Sequence, residues 1–221
     1  AGIAFDGDAD RCLAVDETGK VVDGDFIMAI CADYLKGMGK LSANTVVGTV
    51  MTNMGFSVFG KENDINFISA RVGDRYVLEE MLRNNYNLGG EQSGHVIFLD
   101  HSTTGDGQLT AVQLLSILKV KNKTLSELSS IMRKYPQVIV NVKVSHEGKL
   151  KFYTDEVIKS TVQKIQDDFN SSDKKSVPDG RILVRASGTE PLIRVMVEGK
   201  NQEKIEKIAN EVAEIIKNRL A

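Results

Sequence analysis

Three aspartates at alternate positions, Asp6, Asp8 and Asp10, stand between an apolar run, Gly2-Ile3-Ala4-Phe5, and a strand-like run, Cys12-Leu13-Ala14-Val15. No other stretch constrains the chain as strongly. In extended or gently turning backbone, alternate side chains point the same way, so the three carboxylates converge. Gathered negative charge disfavours ionisation unless a cation neutralises it. Oxygen-only donors suit a hard cation, and Mg²⁺ fits best. An Asp-rich surface turn fits the pattern as well. A calcium-binding EF-hand loop does not: Arg11 stands where that loop needs Gly, and the flanks read as strands instead of helices.

The alternation of elements sets the fold class. After the Glu17-Thr18-Gly19-Lys20 turn, Asp25 is expected to cap a helix over 26–36, with Ile27, Ile30, Cys31, Tyr34 and Leu35 inward. A β-branched buried strand over 45–51, a short helix around 53–59 and a strand over 65–69 follow. Asp74 is expected to cap the next helix, to about residue 85. Short strands over 87–90 and 95–99 flank the Glu91–Gly94 turn, and a helix runs from about 105 to 118. This order predicts an α/β domain, a mixed and largely parallel sheet flanked by helices, over residues 1–119.

Residues 120–136 read as a linker helix. Thr124-Leu125-Ser126-Glu127 forms a capping box at its start, and Pro136 closes it. Residues 137–221 read as a smaller α+β domain: strand 138–144, helix 154–169, a polar loop over 170–178, strands 181–186 and 192–198, and a helix over 202–219. In that last helix Ile205, Ile208, Val212, Ile215 and Ile216 form one stripe.

Bulk properties exclude several classes. A net charge of −2 offers no footprint for nucleic acid or an anionic membrane. No apolar run reaches the length of a membrane span and no signal peptide is visible, so a cytoplasmic location is expected. Cys12 and Cys31 read as buried thiols of a reducing compartment. With three histidines and no Cys-x-x-Cys, a structural zinc site is not expected. The chain opens inside a strand without an initiator Met, which suggests a fragment of a longer protein.

Three further clusters carry chemistry. Arg185-Ala186-Ser187-Gly188-Thr189-Glu190-Pro191, with Arg194 beyond it, offers two guanidinium groups, two hydroxyls and Gly-loosened backbone. That set suits a phosphate dianion, and it equally suits a hairpin turn with solvated arginines. Gly89-Gly90-Glu91-Gln92-Ser93-Gly94-His95 lets backbone approach a ligand closely, with Glu91 and Ser93 able to bond paired sugar hydroxyls; a tight hairpin is the plainer reading. Ala70-Arg71-Val72-Gly73-Asp74 links a strand to a helix at the strand's carboxyl end, where open α/β sheets bind ligands. Arg71 and Asp74 are the candidates for charge work there.

Taken together, these loops resemble the α-D-phosphohexomutase superfamily, in which a metal loop, a sugar-recognition loop and a phosphate loop occur in this order. The Asp6–Arg11 run with residues 12–25, Gly90-Glu91-Gln92-Ser93-Gly94-His95, and Thr103-Thr104-Gly105-Asp106-Gly107 look most like its bacterial phosphoglucosamine mutase branch. The match spans the whole chain and corresponds to the third and fourth of the family's four domains. It implies phosphoryl exchange between a phosphoserine and a hexosamine phosphate through a bisphosphate intermediate. It also implies Mg²⁺ held by Asp6, Asp8 and Asp10, with Arg11 beside the transferring group. Arg71 would act catalytically, Glu91 and Ser93 would hold sugar hydroxyls, and Arg185, Ser187, Gly188, Thr189 and Arg194 would grip the phosphate that is not reacting. Some relatives carry Lys and His where Arg71 and Asp74 stand, so the general acid/base is not assigned.

The family's nucleophile, a serine in a Ser-His-Asn setting of the first domain, is missing. Ser145-His146-Glu147 has a similar look but the wrong context. The resemblance therefore implies an inactive half-enzyme whose partner is the N-terminal half. Phosphomannomutase or phosphoglucomutase activity, or a non-catalytic Mg²⁺ and sugar-phosphate binding module, are the alternatives. The oligomeric state, homodimer included, is left open.

Overall fold

Two apolar runs and the turn between them open the first unit. Strands β1 (Gly2–Phe5), β2 (Cys12–Val15) and β3 (Val21–Val22) form an antiparallel sheet in that order. Phe5 pairs with Cys12, so Asp6–Arg11 is the whole hairpin connection. The structure, a computed structural model, describes residues 1–170, 178–188 and 190–221. They divide into two compact units, Ala1–Lys134 and Tyr135–Ala221.

In the first unit, helix α1 (Gly24–Gly37) is buried along Ile27, Met28, Ile30 and Cys31. Its N-cap is Asp23, whose side chain accepts the Phe26 N–H, whereas Asp25, expected as the cap, points into the interior. A four-stranded sheet has the order β5 (Asn66–Ala70), β4 (Thr45–Thr49), β6 (Leu88–Gly90), β7 (Val96–Phe98). β4 pairs in parallel with β5 and with β6, and β7 returns antiparallel. The unbroken burial of β4 is what a central parallel strand requires.

Helix α2 (Met54–Glu62) is capped by Asn53, and α4 (Gly107–Lys121) by Asp106. α3 (Asp74–Asn84) departs from expectation: its N-cap is Gly73 at φ +125° with no side-chain cap, and Asp74 sits inside the first turn. There it meets the positive end of the helix dipole instead of bonding a free N–H. α5 (Leu125–Ser129) carries the expected capping box of Thr124 and Glu127. Leu125 and Met132, from the segment read as a linker helix, are buried in the first unit's core with Phe56, Phe59 and Leu114.

The second unit is an antiparallel sheet, β8 (Gln137–Lys143), β10 (Leu192–Gly199), β9 (Gly180–Ala186), with β10 central. α7 (Glu156–Phe169) and α8 (Gln202–Leu220) complete it. Ile205, Val212 and Ile216 of α8 are buried with Ile193, Val195 and Val197 of β10, each side chain worth about 2 kcal/mol. A short helix absent from the sequence reading, α6 (His146–Lys151), begins at Ser145, whose Oγ accepts the Gly148 N–H at 3.0 Å. Of the polar loop expected over 170–178, residues 171–177 lie outside the described residues. Among the described residues, no helix is long and apolar enough to cross a membrane.

Candidate active site

The hairpin tip gathers the aspartates by a turn and not by strand alternation. The Ala9 N–H donates to the Asp6 carbonyl at 3.2 Å, and Ala9 takes a left-handed φ of +57°. One carboxylate oxygen from each of Asp6, Asp8 and Asp10 then lies within 4.8 Å of the other two. Arg11 is the counter-charge. Its Nε is 2.6 Å from Asp6 Oδ2 and 3.4 Å from Asp10 Oδ1, and its backbone N–H donates to Asp6 Oδ1 at 3.3 Å. Partial burial pushes the Asp6 carboxyl up, but the Arg11 N–H and guanidinium outweigh it and hold it below the usual range. Although close to Arg11, Asp6 Oδ2 is off any hydrogen-bond axis and stays buried without a hydrogen bond.

Asp10 is held from a distant part of the chain. The Gly105 N–H donates to His95 Nε2 at 3.1 Å, which makes that nitrogen the acceptor. His95 Nδ1 therefore carries the proton and donates it to Asp10 Oδ2 at 3.0 Å. His95 is buried, while the Asp10 side chain remains partly open to solvent.

The Glu91–Gly94 turn joins the other loops. Its own frame is two bonds, the Glu91 N–H to the His95 carbonyl at 2.9 Å and the Gly94 N–H to the Glu91 carbonyl at 3.0 Å. Outward, Gly94 accepts the Cys12 N–H at 3.0 Å, tying the turn to the Asp loop. Gly94 has φ +96°, and a Cβ there would collide with the Cys12 carbonyl, so the position requires glycine. Glu91 Oε1 accepts the Gly73 N–H at 3.0 Å, fixing the loop that carries Arg71 and Asp74. Arg71 is exposed and stacks on Tyr76, its guanidinium carbon 3.9 Å from the ring centroid. The Gln92 carbonyl accepts the Gly24 N–H at 3.1 Å, and Ser93 is exposed. Asp6, Asp8, Asp10, Arg11, Glu91, Ser93 and Arg71 thus all lie on loops linked through this turn.

In the second unit, Arg185 of β9 and Arg194 of β10 are directly paired across the strands. Arg194 Nε donates to Asn141 Oδ1 at 3.0 Å. Arg185 Nε is buried with no hydrogen-bond partner among the described residues. Burial, with the Arg194 charge adding to it, lowers the Arg185 pKa. Two like charges side by side, one with an unmet donor, form a pair that an anion would relieve. Ser187 is buried and shapes the turn: its N–H donates to the Leu192 carbonyl at 2.9 Å and its Oγ accepts the Glu190 N–H at 3.2 Å. Gly188 is exposed, and Thr189 lies outside the described residues.

Two family models match the chain. Residues 23–135 match the model for phosphoglucomutase/phosphomannomutase, alpha/beta/alpha domain III, and residues 139–215 match that for the phosphoglucomutase/phosphomannomutase C-terminal domain. The chain belongs to the phosphoglucomutase/phosphomannomutase family.

Among phosphoglucomutase/phosphomannomutase relatives, the chain is 56% identical over 220 residues to a phosphoglucosamine mutase of Ruminiclostridium cellulolyticum, covering 100% of this chain and 47% of the relative. It is 54% identical over 219 residues to a phosphoglucosamine mutase of Clostridium botulinum, covering 99% of this chain and again 47% of the relative. The chain thus spans about half the length of the curated relatives it matches. A crystal structure of Aspergillus fumigatus N-acetylphosphoglucosamine mutase in complex with GlcNAc-6P and magnesium shares the fold. It aligns with TM-score 0.78 and 20% identity over 99% of this chain and 49% of that one.

Two residues of this family member escaped the sequence reading. His95 was visible only as the end of a Gly-rich motif, with nothing local to name Asp10 as its partner. Asp25 and Asp23 both precede the same apolar stripe, so either could cap it by sequence; it is Asp23 that accepts the capping bond.

Proposed function

We propose that this chain is part of a phosphoglucosamine mutase that interconverts glucosamine 6-phosphate and glucosamine 1-phosphate through a phosphoserine and a bisphosphate intermediate. The reading is supported by the relatives' names and by the loops they share a family with. One observation carries it: three carboxylates with oxygens within 4.8 Å of one another, Asp6 Oδ2 buried without a hydrogen bond, joined to a glycine-rich turn that exposes Ser93.

The donor set fits a hard divalent cation, since it is oxygen-only, anionic and open on the Asp8 side. Asp6, Asp8 and Asp10 would hold Mg²⁺, which when bound supplies charge neutralisation for phosphoryl transfer. The chain's own residues do the rest. His95 orients Asp10. Arg11 keeps Asp6 ionised and stands ready to meet a phosphoryl oxygen. Glu91 and Ser93 bond sugar hydroxyls, and Arg71, stacked on Tyr76, supplies a further cation. In the second unit Arg185, Ser187, Gly188, Thr189 and Arg194 grip the phosphate that is not reacting, Arg185 through its unmet Nε donor. The serine that carries the phosphoryl group belongs to the N-terminal half of the enzyme, the chain's partner; Ser145 is committed to capping α6.

The test is kinetic. The full-length parent should show higher kcat/KM for glucosamine 6-phosphate than for mannose 6-phosphate, and the isolated chain should show no turnover. Preference for mannose 6-phosphate would make the parent a phosphomannomutase. Turnover by the isolated chain would overturn the assignment of the nucleophile.

A further inference from the structure

Among the described residues of the first unit, Asp25 is the carboxylate shut completely from solvent. It lies in the first turn of α1 but makes no capping bond there. Its Oδ2 accepts two hydrogen bonds from elsewhere, the Asn53 N–H at the start of α2 at 2.9 Å and the Gln92 side-chain amide at 3.1 Å. Its Oδ1 is buried with no hydrogen bond. Gln92 is also held through its backbone, by the N–H of Gly24, Asp25's neighbour. Gly24 itself lies so close to the Glu91 carbonyl that no Cβ fits between them. The central residue of the turn is therefore clamped at both ends by consecutive residues of α1.

A buried carboxylate is a poor way to gain stability, because its desolvation offsets most of what its bonds return. An amide or apolar side chain would fill the space at less cost. What the carboxylate adds is a strong, directional acceptor aimed at one side chain of the loop. Resting on the sugar-binding role given to Glu91 and Ser93 above, we propose that Asp25 is a positioning residue for hexose recognition: by clamping Gln92 it holds the Glu91-Gln92-Ser93 turn in the orientation that meets the sugar.

The clamp also has a protonation state. Burial pushes the Asp25 carboxyl up to about 7; the Asn53 N–H and the Gln92 amide oppose this, the neighbouring Asp23 charge adds to it, and Lys134 opposes it. The titratable groups acting on it are Asp23 and Lys134, which pair with each other. Above pH 7 the ionised carboxylate makes charge-assisted bonds to Gln92. Below it the neutral acid makes weaker ones. The Gln92 contact itself should therefore strengthen as pH rises through neutrality, even though the fold as a whole loses stability when the buried carboxylate ionises.

Amide hydrogen exchange on the folded chain tests the clamp at Gly24 and Gly94, whose N–H groups hold the turn. After correction for intrinsic rates, Asp25→Ala should exchange about tenfold faster than wild type at pH 8 at these two sites. Asp25→Asn, a neutral mimic, should match wild type at pH 6 and exceed it at pH 8. Should Asp25→Ala fail to fold, Gln92→Ala reads the same contact from the other side. Unchanged protection of Gly24 and Gly94 in the folded variants overturns the proposal. In the full-length enzyme, Asp25→Ala and Gln92→Ala should each raise KM for glucosamine 6-phosphate with a smaller change in kcat. Together they should do no more than either alone, and additive effects would count against a shared clamp. If wild type turns over no hexose phosphate, the mutase reading fails, and the exchange results still decide the clamp.

Discussion

His95 donates from Nδ1 to Asp10 across 85 residues of sequence, and does so only because the Gly105 N–H occupies its other nitrogen. The tautomer is thus set by backbone, and the direction of Asp10 by the tautomer. Removing the imidazole should leave the three aspartates in place but free one of them to rotate. His95→Ala is expected to weaken Mn²⁺ binding by about tenfold, a typical cost of losing a partner that orients a metal ligand. Calorimetric titration checks this, and unchanged affinity would show that Asp10 needs no such support.

Asp8 is the exposed member of the cluster and makes no hydrogen bond among the described residues. Asp8→Asn should therefore leave the melting temperature nearly unchanged while abolishing the single Mg²⁺ or Mn²⁺ site that calorimetry is expected to show for the wild type. Binding that survives intact would remove Asp8 from the ligand set.

Arg185 pairs with Arg194 across the strands and has an unmet buried Nε donor. Millimolar phosphate should stabilise the wild-type chain, since an anion that binds only the folded state raises its melting temperature. In Arg185→Ala that stabilisation should disappear, while stability without phosphate is preserved, because a repulsive pair and an unsatisfied donor have both been removed. A variant that still gains stability from phosphate would reduce the loop to a plain hairpin.

Asp25 predicts a pH profile with a definite sign. Its carboxyl is raised from the ordinary 3.8 to about 7, so the folded state holds a proton that the unfolded state releases. Stability then falls as pH climbs from about 4 to about 7, and the loss is complete above the folded value, on the order of 4 kcal/mol. Asp25→Asn carries no charge at any pH. Thermal melts should show it equal to wild type near pH 4 and more stable at pH 8; equal curves at both values would mean that the group ionises normally.

Gly94→Ala tests the junction between the turn and the Asp loop. The backbone there has φ +96°, and the added methyl would meet the Cys12 carbonyl. The conformational term alone is about 1–2 kcal/mol, and the collision adds to it. Lower melting temperature together with weaker Mn²⁺ binding is the expected pair of effects, because displacing Cys12 also displaces Arg11 and Asp10 beside it.

Much was determined by the sequence alone, and for one reason. Runs such as Thr45–Thr49, the stripe Ile205-Val212-Ile216 and the capping box of Thr124 and Glu127 are each recognisable from residues within a few positions of one another, whatever they later pack against. The Asp6–Arg11 turn belongs to the same class, since the flanking strands pair with each other and leave it as their connection. Tertiary structure decided the rest. Asp23 and Asp25 are equally good caps by composition; which one turned inward depended on Asn53 and Gln92 arriving from 28 and 67 residues away. Gly73 displaced Asp74 as the start of α3, where the Gly73 N–H is held by Glu91. Whether Arg185 is solvated or waits with a buried, unmet donor was settled by its neighbours in the folded sheet. A side chain's partner at long range is chosen by the packing that closes around it, and that packing exists only once the loops have met.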